Sequence, residues 1–439
     1  MVIRKMGSQS ASFWNSRLKL STAIVICALC ITALNIRSIS IDLSIIQKKL
    51  DRDLIDDVQN ALEDMQYLHD LQNGKAYIRP VESYVNEYKW FCHLDQPSTF
   101  HPSGKWMQNE NLSIYSAYYD ARVSSLYPSN HIIQILTMSY ESIENVTKIY
   151  CNLYLPKMGT HTVIEGYIRE IWQRGWDPRD DFYIPNLVSC PIPKRFQNSV
   201  DILVSLSYEP CKSETSAMQV VIPETIDDSK KKSVAVCVKG MNFQEDVSHR
   251  LVQWVEILKL FGADIITFYV YLVTDETRKA MEFYKTQGFV DIIELDLPGD
   301  SPNEPNIRSG YVQRNRQQKR RHELIPYNDC FYRHFSTHRY ILILDTDEII
   351  VPLQHPNYEQ LLNHLEVQYE GRIPSSFSIR NVFKFPNNST KDDRKSFEFL
   401  TNRRRSKHIQ GPGEYSKSFS SSSTLVTSPK QFTSMKDWL

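Results

Sequence analysis

The chain has 439 residues, with 51 Lys+Arg balanced by 51 Asp+Glu, and is 41% hydrophobic and 11% aromatic. That balance leaves no overall basic field, which puts nucleic acid outside the expected partners. The apolar content is enough for one large core or two smaller ones, so most of the length should be globular.

At the N-terminus, Arg4, Lys5, Arg17 and Lys19 precede an uncharged run from Leu20 to Ile36. Its length is close to the ~20 residues a helix needs to cross a bilayer. We divide this region into a cytosolic tail (1–17) and a transmembrane signal anchor (18–36). A cleaved signal peptide has the same basic start and apolar middle. However, no convincing A-x-A site follows, and the run exceeds a typical signal core. The basic residues ahead of the span favour a cytosolic N-terminus, although Arg37, Lys48 and Lys49 beyond it blunt the asymmetry. The bulk of the chain would then face a lumen.

Two features agree with that orientation. N-glycosylation sequons occur at Asn111, Asn145, Asn387 and Asn388, and they can be used only on a translocated chain. Of eight cysteines, Cys27 and Cys30 fall in the span. Cys92, Cys151, Cys190, Cys211, Cys237 and Cys330 remain, an even set that an oxidising lumen could pair or that could stay as buried thiols. No CxxC with zinc-like partners lies outside the span.

Beyond the anchor, Leu43, Ile46, Leu50, Leu54, Val58, Leu62, Met65 and Leu68 recur at helical spacing among charges. This predicts a helical stem over 37–76, with a coiled coil that makes a homodimer as the alternative. Residues 77–230 turn aromatic and irregular, with "YSAYYDAR" at 115–122 and "SCPIP" at 189–193, and suggest short mixed strands. Within them, Asp120 and Arg122 read first as a structural ion pair.

Order begins at Ser233. "SVAVCVKG" is an apolar strand, Val247 to Phe261 a helix ending at Gly262, "DIITFYVYLV" a second strand, Asp275 to Gln287 a second helix, and "FVDIIELDL" a third strand. Alternation of this kind implies βαβ units with a mainly parallel sheet, an α/β class, over 231–420. A loop over 298–309 and a polar helical stretch then lead to "YILILDTDEIIVP", and a Ser-rich tail covers 421–439. In an open α/β sheet, ligands gather at the carboxyl ends of strands, so Asp345 and Asp347 would emerge where a substrate binds. Two carboxylates spaced i, i+2 suit a hard divalent cation that phosphates can bridge. A haloacid-dehalogenase-type phosphatase also starts with a strand and Asp-x-Asp. That family wants Thr or Val where Ile349 stands, and places the motif on its first strand.

The ordered set "VAVCVKG", "LVQWVEILKLFGADIITFYVY", "ELIPYNDCFYRH" and "YILILDTDEIIVP", with "YSAYYDAR" and "SCPIP" upstream, resembles the family 92 glycosyltransferases over roughly residues 85 to 420. The resemblance implies a single-pass Golgi protein with a GT-A-like nucleotide-sugar fold. It also implies Mn²⁺-dependent, inverting transfer of galactose from UDP-galactose to a glycan such as fucose on an N-glycan core. By the same resemblance, Asp345 and Asp347 would hold Mn²⁺ and the UDP diphosphate. Glu348 would orient a ligand, bind the sugar or pair with a cation. Asp329 becomes a candidate catalytic residue, with helix capping as the structural alternative. Cys237 and Cys330 match family positions, as a disulfide or as two thiols. Trp254 and Glu256 match as well, with Trp254 reading first as core. After "GEYSKSFSSSSTLVTS" the family continues into a segment containing a histidine, whereas this chain has none after His408. His408 or water would then complete a metal site, or the chain would be a non-catalytic glycan-binding or scaffold protein.

Overall fold

The structure, a computed structural model, describes residues 94–122, 131–140, 148–197, 199–224, 226–369, 374–385, 404–411 and 416–423. All of them belong to one compact unit, Arg79–Leu439. The expected anchor, the stem with its dimer seam, Cys92, Asn145, Asn387, Asn388 and most of the Ser-rich tail lie outside the described residues. Among the described residues, no helix is long and apolar enough to cross a membrane.

The upstream region forms β1 (Thr99–His101), β2 (Met107–Asn109), β3 (Leu112–Asp120), β4 (Ile132–Ser139), β5 (Ile149–Leu155), β6 (Thr160–Glu170), β7 (Ile184–Pro191), β8 (Leu203–Ser207) and β9 (Ser216–Gln219). They build one sheet in the order β1-β9-β8-β5-β6-β7-β4-β3-β2. Every pairing is antiparallel except β1 with β9. The sheet closes on itself beyond β9. There the Tyr119 N–H donates to the Val221 carbonyl at 3.0 Å, and the Val221 N–H to the Ala117 carbonyl at 2.8 Å. Ile114, Ile135, Leu153, Val188, Leu206 and Met218 fill the enclosed core. Cys151 and Cys190 form a disulfide within it.

β3 to β7, at seven to eleven residues and antiparallel, are longer than the expected short mixed strands, and β3 is covered on both faces. Ile114, Ala117 and Tyr119 point into the enclosed core, whereas Tyr115 and Tyr118 join the neighbouring one. A register shift between Ile114 and Ser116 makes this possible, since a bulge lets consecutive residues change face.

The second layer follows the βα alternation read from the sequence: β10 (Lys232–Asn242), α1 (Ser248–Leu260), β11 (Ile265–Leu272), α2 (Asp275–Thr286) and β12 (Val290–Glu294). Next come α3 (Pro305–Arg314), α4 (Arg316–His322), α5 (Leu324–His334), β13 (His338–Ile343), α6 (Tyr358–Gln368), β14 (Ser376–Ile379), β15 (Lys384–Phe385), β16 (Arg404–Arg405) and β17 (Lys417–Ser421). The predicted loop over 298–309 is shorter than expected. Pro305 sits in the first turn of α3, where its missing N–H costs nothing, and the Glu304 side chain accepts from the Ile307 N–H. The polar helical stretch breaks at Asn315, whose backbone (φ −97°, ψ 67°) is not helical.

The six-stranded sheet runs β12-β11-β10-β13-β17-β14. Its first four strands are mutually parallel, while β17 is antiparallel to both β13 and β14. The expectation of a mainly parallel sheet thus becomes a mixed sheet with a parallel half. β17 enters the sheet from the opposite end, antiparallel to both of its neighbours.

Helix α5 lies between the layers and is buried on nearly every side, from Leu324 to Tyr332 and again at His334. Helices that are apolar all round occur only where both sides are packed. Phe331, Tyr332 and Phe335 meet Tyr115 and Tyr118 of β3, while Cys330 bonds to Cys237 of β10. The ion pair of Asp120 with Arg122 (2.7 Å) caps this junction, its guanidinium lying 4.6 Å from the Phe335 ring.

Three histidines are buried around this joint. Burial pushes His322 and His334 down to about 3 and His338 down to about 4. Their folded values lie below the ~6.5 of an unfolded chain. Below pH 6.5 the unfolded state therefore binds more protons, and stability falls as pH falls. We expect a loss of up to about 1.4 kcal/mol per histidine per pH unit between pH 6.5 and 5. Urea unfolding across that range tests this. His334→Gln should flatten the slope by roughly a third, for one of three such groups, and a profile already flat in the wild type would contradict it.

Candidate functional site at the β10–β13 strand exits

The chain lays β11 and β12 on one side of β10 and β13 on the other. The crevice between the carboxyl ends of β10 and β13 is therefore the topological switch point, where open α/β sheets take their ligands. Register carries the chemistry there. Cys237 pairs with Ile343, so two residues further along Lys239 stands beside Asp345. The Lys239 ammonium lies 3.1 Å from Asp345 Oδ1 and 3.8 Å from Glu323 Oε1. Across the crevice Lys417, the first residue of β17, reaches Glu348 Oε2 at 2.8 Å and Asp345 Oδ2 at 3.6 Å.

The Asp345–Glu348 segment is a closed turn. The Glu348 N–H donates to the Asp345 carbonyl, and the Asp345 N–H donates back to Glu348 Oε2, both at 3.0 Å. Trp254, fully buried in α1, donates its indole N–H to the Glu348 carbonyl at 2.7 Å. Thr346 is buried, and Asp347 is left exposed, with no hydrogen bond or ion pair to the described residues. One carboxylate is thus held in place and the next is presented to solvent.

The charges are strongly coupled. Burial pushes the Asp345 carboxyl up, but the Lys239 and Lys417 ammoniums outweigh it and leave Asp345 below the ordinary aspartate range. Burial raises Glu348, against the pull of Lys417 and with the help of Asp345. Burial disfavours the Lys239 ammonium, yet Tyr327, Glu323 and Asp345 more than offset this and raise its pKa. The crevice thus sets Lys239 and Lys417 on either side of a carboxyl held below its ordinary range.

Asp347 offers two free oxygens, and Asp345 keeps lone pairs beyond its two lysine contacts. This donor set suits a hard cation that retains several waters and is bridged by phosphates. Among the described residues, Glu323 and Glu348 also reach the crevice but are engaged by Lys239, Lys417 and the turn. Among the described residues no cluster of three His, Cys, Asp or Glu side chains is placed to hold a metal, and His408 lies exposed elsewhere.

The other sequence candidates fall away from the crevice. Asp329 is fully buried and accepts from the Tyr118 hydroxyl (2.8 Å), the Tyr269 hydroxyl (2.6 Å) and the Arg333 guanidinium (3.2 Å). The catalytic role considered for Asp329 is corrected accordingly: sealed between two sheets in mid-helix, it can neither touch a substrate nor cap the helix. Cys237 and Cys330 are a disulfide, which removes the free-thiol alternative. Glu256 accepts from the Tyr284 hydroxyl at 2.7 Å, joining α1 to α2. Trp254 is core, as read, but also pins the Asp-x-Asp turn. Asn111 is exposed in the β2–β3 hairpin turn, where a glycan could be carried. The residues missed from sequence are Lys239, Lys417 and Glu323. Lys239 was visible as a lone charge at the end of "SVAVCVKG", but its partner depended on strand register.

Residues 232–435 match the family model described as Glycosyltransferase family 92. Among curated proteins, two Caenorhabditis elegans relatives are similar. Glycosyltransferase family 92 protein F13G3.3 is 21% identical over 297 residues, 66% of this chain and 53% of its own length. Glycosyltransferase family 92 protein ZK381.2 is 22% identical over 170 residues, 38% of this chain and 32% of its own length. The matched stretch thus spans about half of the first relative and about a third of the second.

Glu348→Ala should strip the Asp345 N–H and Lys417 of an acceptor and destabilise the chain by about 1–3 kcal/mol. Glu348→Gln keeps one oxygen and should cost less. Urea midpoints compare them, and an alanine variant as stable as wild type would refute the turn-closing role.

Proposed function

We propose that the chain, whose residues 232–435 match the Glycosyltransferase family 92 model, is a Mn²⁺-dependent, inverting glycosyltransferase that moves galactose from UDP-galactose to a glycan acceptor, such as fucose on an N-glycan core. The observation that carries this reading is the exposed, unpartnered Asp347 beside Asp345 at the switch point of a parallel half-sheet. The order β12-β11-β10-β13, with Asp-x-Asp at the fourth strand's exit, supports a GT-A-like nucleotide-sugar fold.

The chain's own residues divide the work. Asp345 and Asp347 hold the cation, with Asp345 fixed by the turn that Glu348 and Trp254 close. When bound, the cation neutralises charge gathering on the departing diphosphate. Lys239 and Lys417 set two further positive charges beside the same crevice, where preorganised charge stabilises a leaving anion without reorganisation. Both are already paired, so they are held in position before substrate arrives.

The disulfides Cys151–Cys190 and Cys237–Cys330 and a further disulfide-bonded cysteine, Cys211, favour an oxidising compartment. With the apolar run before residue 37 and the exposed sequon at Asn111, they support a Golgi membrane protein with its bulk in the lumen.

The test is donor turnover by the full chain, purified in detergent from a eukaryotic host. UDP-galactose should be hydrolysed or transferred only with Mn²⁺, and Asp347→Asn should lower the rate at least ~100-fold, on the scale of losing one charge-stabilising group. Turnover indifferent to chelation or to that substitution would overturn the metal-dependent reading. No turnover with any UDP-sugar, alongside retained glycan binding, would replace the enzyme with a glycan-binding scaffold.

A further inference from the structure

A second concavity lies where the curled sheet meets the loop after β12. It has a volume of about 550 Å³, within the range of ligand sites. Its walls are well fixed. The Trp106 indole N–H donates to the Asp296 carbonyl at 2.8 Å, and Asn303 braces the loop by exchanging hydrogen bonds with Leu297 at 2.7 and 2.9 Å. Gly299, at φ 56°, passes so close to Tyr183 that a Cβ would sit 2.0 Å from its hydroxyl. Tyr140 stands edge-on to Tyr183 with ring centroids 5.3 Å apart.

What the cavity offers is specific. Trp106, Tyr140 and Tyr183 supply aromatic surface. The Tyr140 hydroxyl, the Asn111 amide and the Asp300 carboxylate make no hydrogen bond to the described residues. Among the described residues no lysine or arginine lines it, and the Asp300 carboxylate disfavours anions, which separates this site from the cationic crevice at Asp345. Aromatic faces beside free acceptors and donors match a pyranose, whose C–H faces are apolar and whose rim carries hydroxyls. β12 and β13 run parallel in one sheet, so the loop after β12 leaves at the same edge as Asp345, with strand exits about 14 Å apart across three strand spacings.

We propose that this cavity is a neutral-carbohydrate subsite that grips a glycan at a distance from the transfer point. The glycan is either the acceptor's outer part or the chain's own sugar on Asn111, which lines the cavity. Only the acceptor source rests on the transferase reading.

An array of defined neutral N-glycan oligosaccharides, probed with the full chain in detergent, tests this. Wild type or Asn111→Gln should bind at least one oligosaccharide, and Tyr140→Ala or Asp300→Ala in the same background should weaken binding roughly three- to tenfold. Both side chains are exposed, so the variants should keep the wild-type melting temperature. Binding by wild type assigns the cavity to an acceptor, and binding only after Asn111→Gln assigns it to the chain's own glycan. Binding by neither, or binding that both cavity variants leave unchanged, overturns the subsite. UDP-galactose hydrolysis by the wild type is read separately. Its absence with array binding intact removes the galactosyl-transfer reading and leaves the subsite standing.

Discussion

A single buried carboxylate organises the described part of the molecule. Asp329, at 0% exposure, is a polar group that would be costly to bury without partners. It has three: the Tyr118 hydroxyl from the curled sheet, the Tyr269 hydroxyl from the second layer, and Arg333 one turn along its own helix. Burial, reinforced by the Asp329 charge, pushes both tyrosines well above their ordinary values, so they remain donors at neutral pH. Because the donors come from different layers, neither sheet can shift without leaving the carboxylate short of a partner. The adjacent Cys237–Cys330 bond ties the same helix to β10.

That joint also sets the floor of the crevice. Helix α5 begins just after Glu323, which faces Lys239, and Tyr327 stands one turn further on beside the same ammonium. Lys239 belongs to the strand that carries Cys237. The helix that locks the layers therefore fixes the position of one of the two cations beside Asp345. Lys417 arrives independently on β17, and Trp254 reaches the turn from the opposite face of the sheet. Three separate packing contacts thus converge on one four-residue turn, while Asp347 alone is left to solvent.

Much of the α/β half was legible in the sequence. Apolar runs bounded by Gly262 and Gly288 marked the first two strands and both helices to within a residue or two and overran the end of β12 by three, and the position of "DTDE" after "ILIL" marked the strand exit. Three things were not legible. Pro305 looked like a loop residue because proline at the first turn of a helix and proline in a loop are alike without the cap that follows. The curled sheet was obscured because β3 alternates between two cores through a bulge, which hides its period. Asp329 looked like a site residue because a carboxylate inside a family motif reads the same whether it meets a substrate or two tyrosines from distant segments. Lys239 and Lys417 needed strand register, which local pattern does not carry.

The proposed function requires Asp345 and Asp347 to bind a nucleotide diphosphate through a divalent cation at the β10–β13 exits. Calorimetric titration of UDP into the full chain, with Mn²⁺ and after chelation, tests it most directly. Binding should require Mn²⁺ and disappear in Asp345→Asn and Asp347→Asn chains that melt like wild type. UDP affinity unchanged by chelation and by both substitutions would rule out cation-bridged diphosphate binding at this turn.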